Sequence, residues 1–235
     1  MRPVNYTALD LEMTGLSPKT DRIIEIGAWR VRDGQRTASY GMLVNPHRPI
    51  PPKIRSLTGI SDEMVSKGWE PDDAVSGLLE FIGDDVIVGQ NVNFDYSFLK
   101  QWASNHRRPL ELLACDTLKI ARKLLPQEQP KNLEALCVYF CITRENAHRA
   151  LDDARETAEV FEHLKAIAGE ESDEIFTPKQ LQYKAKRQTP ATPHQMEQLR
   201  AYRTKHAITE EILWEDLTRS EASRIMDRYY ARYGR

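Results

Sequence analysis

Along the first third of the chain, apolar positions come in β-branched-rich runs: Val4 to Glu12, Ile23 to Arg32 and Ser39 to Asn45. The first two are separated by the turn-rich Thr14-Gly15-Leu16-Ser17-Pro18. Such runs, bounded by Gly, Ser and Pro, predict three strands in an antiparallel meander. From Asp72 the period lengthens. Asp72 to Ile82 reads as a helix, Val86 to Gln90 as a short buried strand, Asp95 to Asn105 as a helix and Leu112 to Cys115 as a strand. That alternation predicts βαβ units and a parallel segment of sheet. Lys119 to Leu125 and Asn132 to Phe140 read as further helices, and apolar residues at 154, 158, 161, 164 and 168 lay a helical stripe along Asp152 to Ala168. Gly169 to Asp173 is a polar, acidic break. Beyond it, Thr177-Pro178 and Thr192-Pro193 each offer an N-cap followed by proline at the first helical position, so two short basic helices are expected, then a last helix from Ser220 to Tyr233. The expected organisation is a first domain over 1–169, a basic linker over 170–188 and a small helical region over 189–235.

Composition narrows the class. Of the 235 residues, 40% are apolar and 29% charged, as in globular rather than disordered or fibrous chains. Leu78 to Ile82 and Val86 to Val88 fall far short of the roughly 20 apolar residues of a membrane helix. Met1 to Asp10 holds no apolar signal core. Three cysteines without a CxxC pair fit a reducing compartment, so a cytoplasmic location without membrane contact is expected. The net charge of −2 is unevenly spread: residues 177–209 hold seven cations against the single acid Glu197. A basic appendage on an acidic body suits a polyanionic partner, the alternative being a solvated helical face. Lys184, Lys186 and Arg187, with Tyr183 and Tyr202 interleaved, are the candidate strand contacts.

The candidate chemistry lies in four acids. Asp10 and Glu12 are two apart near the end of the first strand, so both side chains point to one face, about 6.6 Å apart along the chain. Asp95 stands where a buried strand gives way to a helix, and Asp153 lies in the first turn of a later helix. Each position alone reads as an ordinary helix-start acid favoured by the helix dipole. Converging on one pocket, the four would repel one another unless a cation sat between them. Hard oxygen ligands favour Mg²⁺ or Mn²⁺, and two such ions suit in-line hydrolysis of a phosphodiester by water. His148, five residues before Asp153, is the candidate general base, since an unperturbed imidazole titrates near neutrality.

Ala8-Leu9-Asp10-Leu11-Glu12-Met13-Thr14-Gly15-Leu16, Asn91-Val92-Asn93-Phe94-Asp95 and His148-x-Ala150-x-x-Asp153-Ala154 resemble the three motifs of the DEDDh 3′→5′ exonucleases. These DnaQ-like enzymes include the epsilon proofreading subunits of DNA polymerase III and exonuclease X. The resemblance spans about residues 4 to 168. It implies an α/β, RNase H-like fold: a mixed five-stranded sheet flanked by helices, followed here by a small C-terminal helical region. It implies Asp10, Glu12, Asp95 and Asp153 as ligands of two divalent metal ions and His148 as base. It also implies Thr14, Gly15, Leu16 and Asn91 at the terminal nucleotide, with Thr58 and Ile60 in a loop that touches the last bases. Two positions depart from the usual pattern: Gln90 stands where the second motif often has His, and Thr58 where some members carry His. The expected activity is release of nucleoside 5′-monophosphates from the 3′ end of single-stranded DNA, alone or beside a DNA polymerase or repair complex. The alternatives are an exoribonuclease, or a nucleic-acid-binding module with a vestigial nuclease site.

Overall fold

The structure, a computed structural model, describes residues 2–215 and 217–234. The meander forms as its pattern dictates: β1 (Tyr6–Met13), β2 (Ile23–Arg32) and β3 (Gln35–Leu43) run antiparallel, with Asp10 opposite Gly27 and Glu12 opposite Glu25. β3 starts earlier than the expected Ser39, because Gln35-Arg36-Thr37 is exposed and carries no apolar alternation. Two short helices follow that the periodicity does not reveal, α1 (Pro52–Thr58) and α2 (Asp62–Ser66). At five and seven residues they are too short to show a stripe. α2 is instead defined by its cap, the Ser61 hydroxyl accepting the Met64 N–H.

α3 (Pro71–Ile82) leads into β4 (Ile87–Gly89), which pairs parallel with β1. α4 (Asn93–Asn105) returns the chain to β5 (Leu113–Asp116), parallel to β4. α5 (Thr117–Leu124), α6 (Leu133–Tyr139) and α7 (Ala150–Ile167) complete the predicted helices, the first two capped by the side chains of Asp116 and Asn132. A 3-10 turn over Glu170–Phe176 buries Phe176 in the main core.

The expected helix after Thr177-Pro178 does not form. Lys179–Gln180 is a strand, β6, antiparallel to β5, and Leu181 N–H donates to the Leu112 carbonyl at 2.9 Å. The free edge of β5 takes the backbone bonds that a first helical turn would have left unsatisfied. The sheet among the described residues therefore has six strands rather than five, in the order β3-β2-β1-β4-β5-β6.

α7 covers the sheet, its Ala158, Phe161 and Leu164 packing in one cluster with Tyr6, Ala8 and Val88. Burial of each large side chain contributes about 1.5–3 kcal/mol. The approach depends on Gly27: a Cβ there would lie 2.0 Å from the Ala150 carbonyl carbon. Glycine in mid-β2 lets the N-terminus of α7, with His148 just before it, rest directly on the strand.

Residues up to 100, with 110–184, form one compact unit; residues 101–109, with those from 185 on, form a second. The second holds α8 (Pro193–Lys205) and α9 (Arg219–Tyr233) around Leu199, Tyr202, Leu217 and Tyr229. The Thr192 start is as expected, with a capping box to Gln195. α9 begins one residue before the expected Ser220, because Thr218 and Glu221 form a second capping box.

Candidate active site

Alternation along β1 buries Leu9 and Leu11 and leaves Asp10 and Glu12 half-buried on the other face. The strand register shifts between Glu12 and Met13, a bulge that ends the regular pairing just beyond the two acids. Asp95, in the first turn of α4, is 4% exposed, and its Oδ1 accepts the Leu11 N–H at 3.1 Å. That bond ties the α4 N-terminus to β1 between the two β1 acids. Asp153, in the first turn of α7, comes to the same place: one ligand atom each from Glu12, His148 and Asp153 lie within 4.8 Å of one another. Asp10 joins them electrostatically, its carboxyl facing Asp95, Asp153, Glu12 and Glu25. The fold thus brings Glu12, His148 and Asp153 within reach of one ion, with Asp10 and Asp95 coupled to them by charge.

Burial and mutual repulsion show in their titration. Burial first, then the neighbouring carboxylates, hold Asp10 well above the usual carboxylate range. Burial, with Asp153, Glu25 and Asp95, pushes Glu12 to about 8 despite the opposing Arg149. Burial pushes Asp95 to about 7, against the lowering effect of its two backbone N–H donors. Asp153 is raised by burial, an effect partly offset by Arg144. Carboxylates so placed are a donor set in need of positive charge. Four carboxylates, with the His148 imidazole beside them, offer the oxygen ligands that fit a hard divalent cation.

Several supporting contacts escape sequence reasoning. Glu25, 5% exposed, pairs with Arg149 (Nη2 to Oε1, 2.7 Å), and its Oε2 accepts the Ala150 N–H at 2.9 Å, capping α7 from β2. Arg144 reaches Asp153 and the fully buried Glu156, each at 2.7 Å. Asp116 accepts the Asn91 N–H at 3.1 Å. Asn91 and His148, at φ 57° and 61°, both hold left-handed backbone, a costly conformation for residues other than glycine that collects at functional sites. No local pattern marks these partners, since Glu25 and Arg149 are 124 residues apart.

The expected substrate contacts divide. Leu16 is 82% exposed and Asn91 is exposed. Thr14 is buried, and its hydroxyl accepts the Arg22 N–H and donates to Asp21. At Gly15 a Cβ would lie 2.6 Å from the Asp21 carboxyl, so a larger residue would have to displace that side chain from Thr14 and Ser17. Thr58 and Ile60 are not brought to the surface: the Thr58 hydroxyl donates to the Ile54 carbonyl and accepts the Ile60 N–H, while Ile60 packs with Ile24, Ile50 and Val65. The exposed side chain of that loop is Leu57. Gln90 donates to the Lys131 carbonyl and accepts from the Thr117 hydroxyl, bracing the end of β4. Lys184, Lys186 and Arg187 are exposed in a segment without regular structure. No helix among the described residues is long and apolar enough to cross a membrane.

Comparison with known proteins bears on family and fold. The RNase T-type family model described as Exonuclease matches residues 7–161. The chain is 37% identical over 168 residues to the PolC-type DNA polymerase III of Clostridium perfringens, covering 72% of this chain but only 12% of the polymerase. It is 33% identical over 157 residues to the DNA polymerase III subunit epsilon of Aquifex aeolicus, covering 66% of this chain and 78% of that one. Among solved structures, exonuclease X in complex with 5′ overhanging duplex DNA superposes with TM-score 0.57 at 24% identity, over 70% of this chain and 93% of that one. The nuclease domain of 3′hExo, a DEDDh family member bound to rAMP, superposes with TM-score 0.59 at 16% identity, over 76% and 98%. At those identities the two structures establish the shared fold.

Proposed function

Since this chain belongs to the exonuclease family, we propose that it is of the DEDDh type and removes nucleotides from the 3′ end of single-stranded DNA, releasing nucleoside 5′-monophosphates. The observation that carries this reading is the convergence of Asp10, Glu12, Asp95 and Asp153 with His148, drawn from β1, α4 and the start of α7. The four acids would hold two divalent ions, Mg²⁺ or Mn²⁺, which when bound neutralise the phosphate and acidify the attacking water. His148 takes one proton from that water. As the water oxygen bonds to phosphorus, the bond from phosphorus to the O3′ of the preceding nucleotide breaks, and that oxygen leaves as an alkoxide that takes a proton from solvent, while His148 returns its own proton to solvent. Arg144 and the Glu25–Arg149 pair act on positions: Arg144 holds Asp153, and Glu25 fixes the first turn of α7.

In this reading Leu16, exposed three residues past the end of β1, wedges the terminal base, while Gly15 and Asn91 offer backbone and amide groups to the sugar and phosphate. In this reading Thr14, Thr58 and Ile60 shape those loops from within. Lys184, Lys186 and Arg187 add sequence-independent affinity for the strand. The names of the relatives, components of DNA polymerase III, support DNA as the substrate and a polymerase as a partner.

The test is a 5′-labelled 20-nucleotide single strand incubated with Mg²⁺, beside its RNA counterpart. A descending ladder on DNA that EDTA abolishes is expected. Faster digestion of RNA would make the chain an exoribonuclease, and no product from either would leave a binding module.

A further inference from the structure

A groove of about 580 Å³ opens at the C-terminal end of β5, between α5 and β6, floored by Ile120, Ile175 and Leu181. Its rim carries Lys119, Arg122 and Lys123 from α5 and Lys179 from β6, all exposed. The one acid in its wall is Asp116, which Lys119 pairs at 3.2 Å. Arg122, Lys123 and Lys179 have no ion-pair partner among the described residues. Three unpaired cations around one cavity repel one another, so the folded chain bears a cost that an anion would remove.

The groove also adjoins the acidic site. Asn93 lines it, two residues before Asp95, and Asp116 in its wall accepts the Asn91 N–H through Oδ1. Thus a strongly negative pocket and a positive groove share a wall at the C-terminal ends of parallel strands, where open α/β sheets bind ligands. An anion that must run from one to the other is a chain of phosphates, and the cavity has the size of a nucleotide-scale ligand. Surface-exposed Gln180 and Gln182 add donors suited to phosphate or base edges.

We propose that this groove is a second phosphate-binding tract, seating the backbone of the strand some nucleotides away from the 3′ end that occupies the acidic site. This extends the exonuclease reading and rests on it for the direction of the strand. The cations of the tract come from α5 and β6 and do not include Lys184, Lys186 or Arg187.

The experiment uses the full chain and a fluorescent 12-nucleotide single strand. Binding is followed by anisotropy in EDTA across salt concentrations, and hydrolysis is measured with Mg²⁺ on the same strand and on a dinucleotide. For Arg122→Ala/Lys123→Ala/Lys179→Ala, loss of up to three phosphate contacts should flatten the log-log salt slope by about 2, at about 0.7 per contact. The ratio of kcat/KM for the 12-mer to that for the dinucleotide should fall about tenfold. Arg36→Ala, which removes a cation that instead pairs with Glu159, should leave the slope within 0.3 or so of wild type, below half of one contact. An unchanged slope in the triple variant, or an equal loss per charge from Arg36→Ala, overturns the proposal. A wild type that binds with a slope the triple variant loses, yet hydrolyses nothing, keeps the groove and ends the exonuclease reading.

Discussion

Asp10 faces four other carboxylates in a buried setting, so its charge is a liability that only a bound cation turns to use. Asp10→Asn should abolish nearly all hydrolysis, by about 10³-fold or more, because several kcal/mol of charge stabilisation are lost. The same change should stabilise the metal-free chain by about 0.5–2 kcal/mol in chemical denaturation, the usual exchange between activity and stability. A variant that lost stability as well as activity would show that Asp10 has a structural role. His148→Ala should slow turnover by about 10²–10⁴-fold, the range for a general base, while Mn²⁺ affinity stays within a few-fold of wild type by titration calorimetry. Arg144 is different in kind. Its partners Asp153 and Glu156 are 9% and 0% exposed, so Arg144→Ala leaves buried charge uncompensated and should cost about 3 kcal/mol in urea unfolding. A loss under 0.5 kcal/mol would mean that Arg155, which also reaches Glu156, suffices.

At the level of elements, the site depends on how closely α7 rests on β2. Gly27→Ala puts a methyl group against the Ala150 backbone, where no flexible side chain can give way. It should destabilise the chain by about 1–3 kcal/mol as overpacking does, and it should also lower kcat by displacing His148 and Asp153. Unchanged stability and kcat would show that α7 can shift freely. This contact also marks the limit of sequence reading. The acids at 10, 12, 95 and 153 were legible because each sits at a strand end or helix start, where period and turn chemistry are strongest. Glu25, Arg144 and Arg149 were not, since their roles come from pairings between strands and helices far apart in the chain. The helix expected at Thr177 fails for a related reason. Thr-Pro is a sound local start, realised at Thr192, but the open edge of β5 claims Lys179 and Gln180 first. Thr58 and Ile60 show the reverse case, motif positions whose side chains the packing turns inward.

For the whole molecule, the raised carboxyls couple stability to pH and to metal. Glu12 and Asp95, at about 8 and 7, bind protons more tightly folded than unfolded. Their stabilising contribution is therefore complete below the ordinary carboxylate range, near pH 4, and is lost as pH rises through about 7 to 8. In EDTA, Tm attributable to this site should fall between pH 5 and pH 8. Saturating Mg²⁺ should restore it, with a larger increment at pH 8, where the ligands are ionised without competition from protons. Equal Mg²⁺ increments at pH 5 and pH 8 would detach metal binding from these groups.

The most direct measurement is anomalous diffraction from a crystal soaked in Mn²⁺. Two peaks about 3.5–4 Å apart, contacted by Asp10, Glu12, Asp95 and Asp153 with His148 beside them, are the expected result. Peaks elsewhere, or saturating Mn²⁺ with none among these four carboxylates, would contradict it.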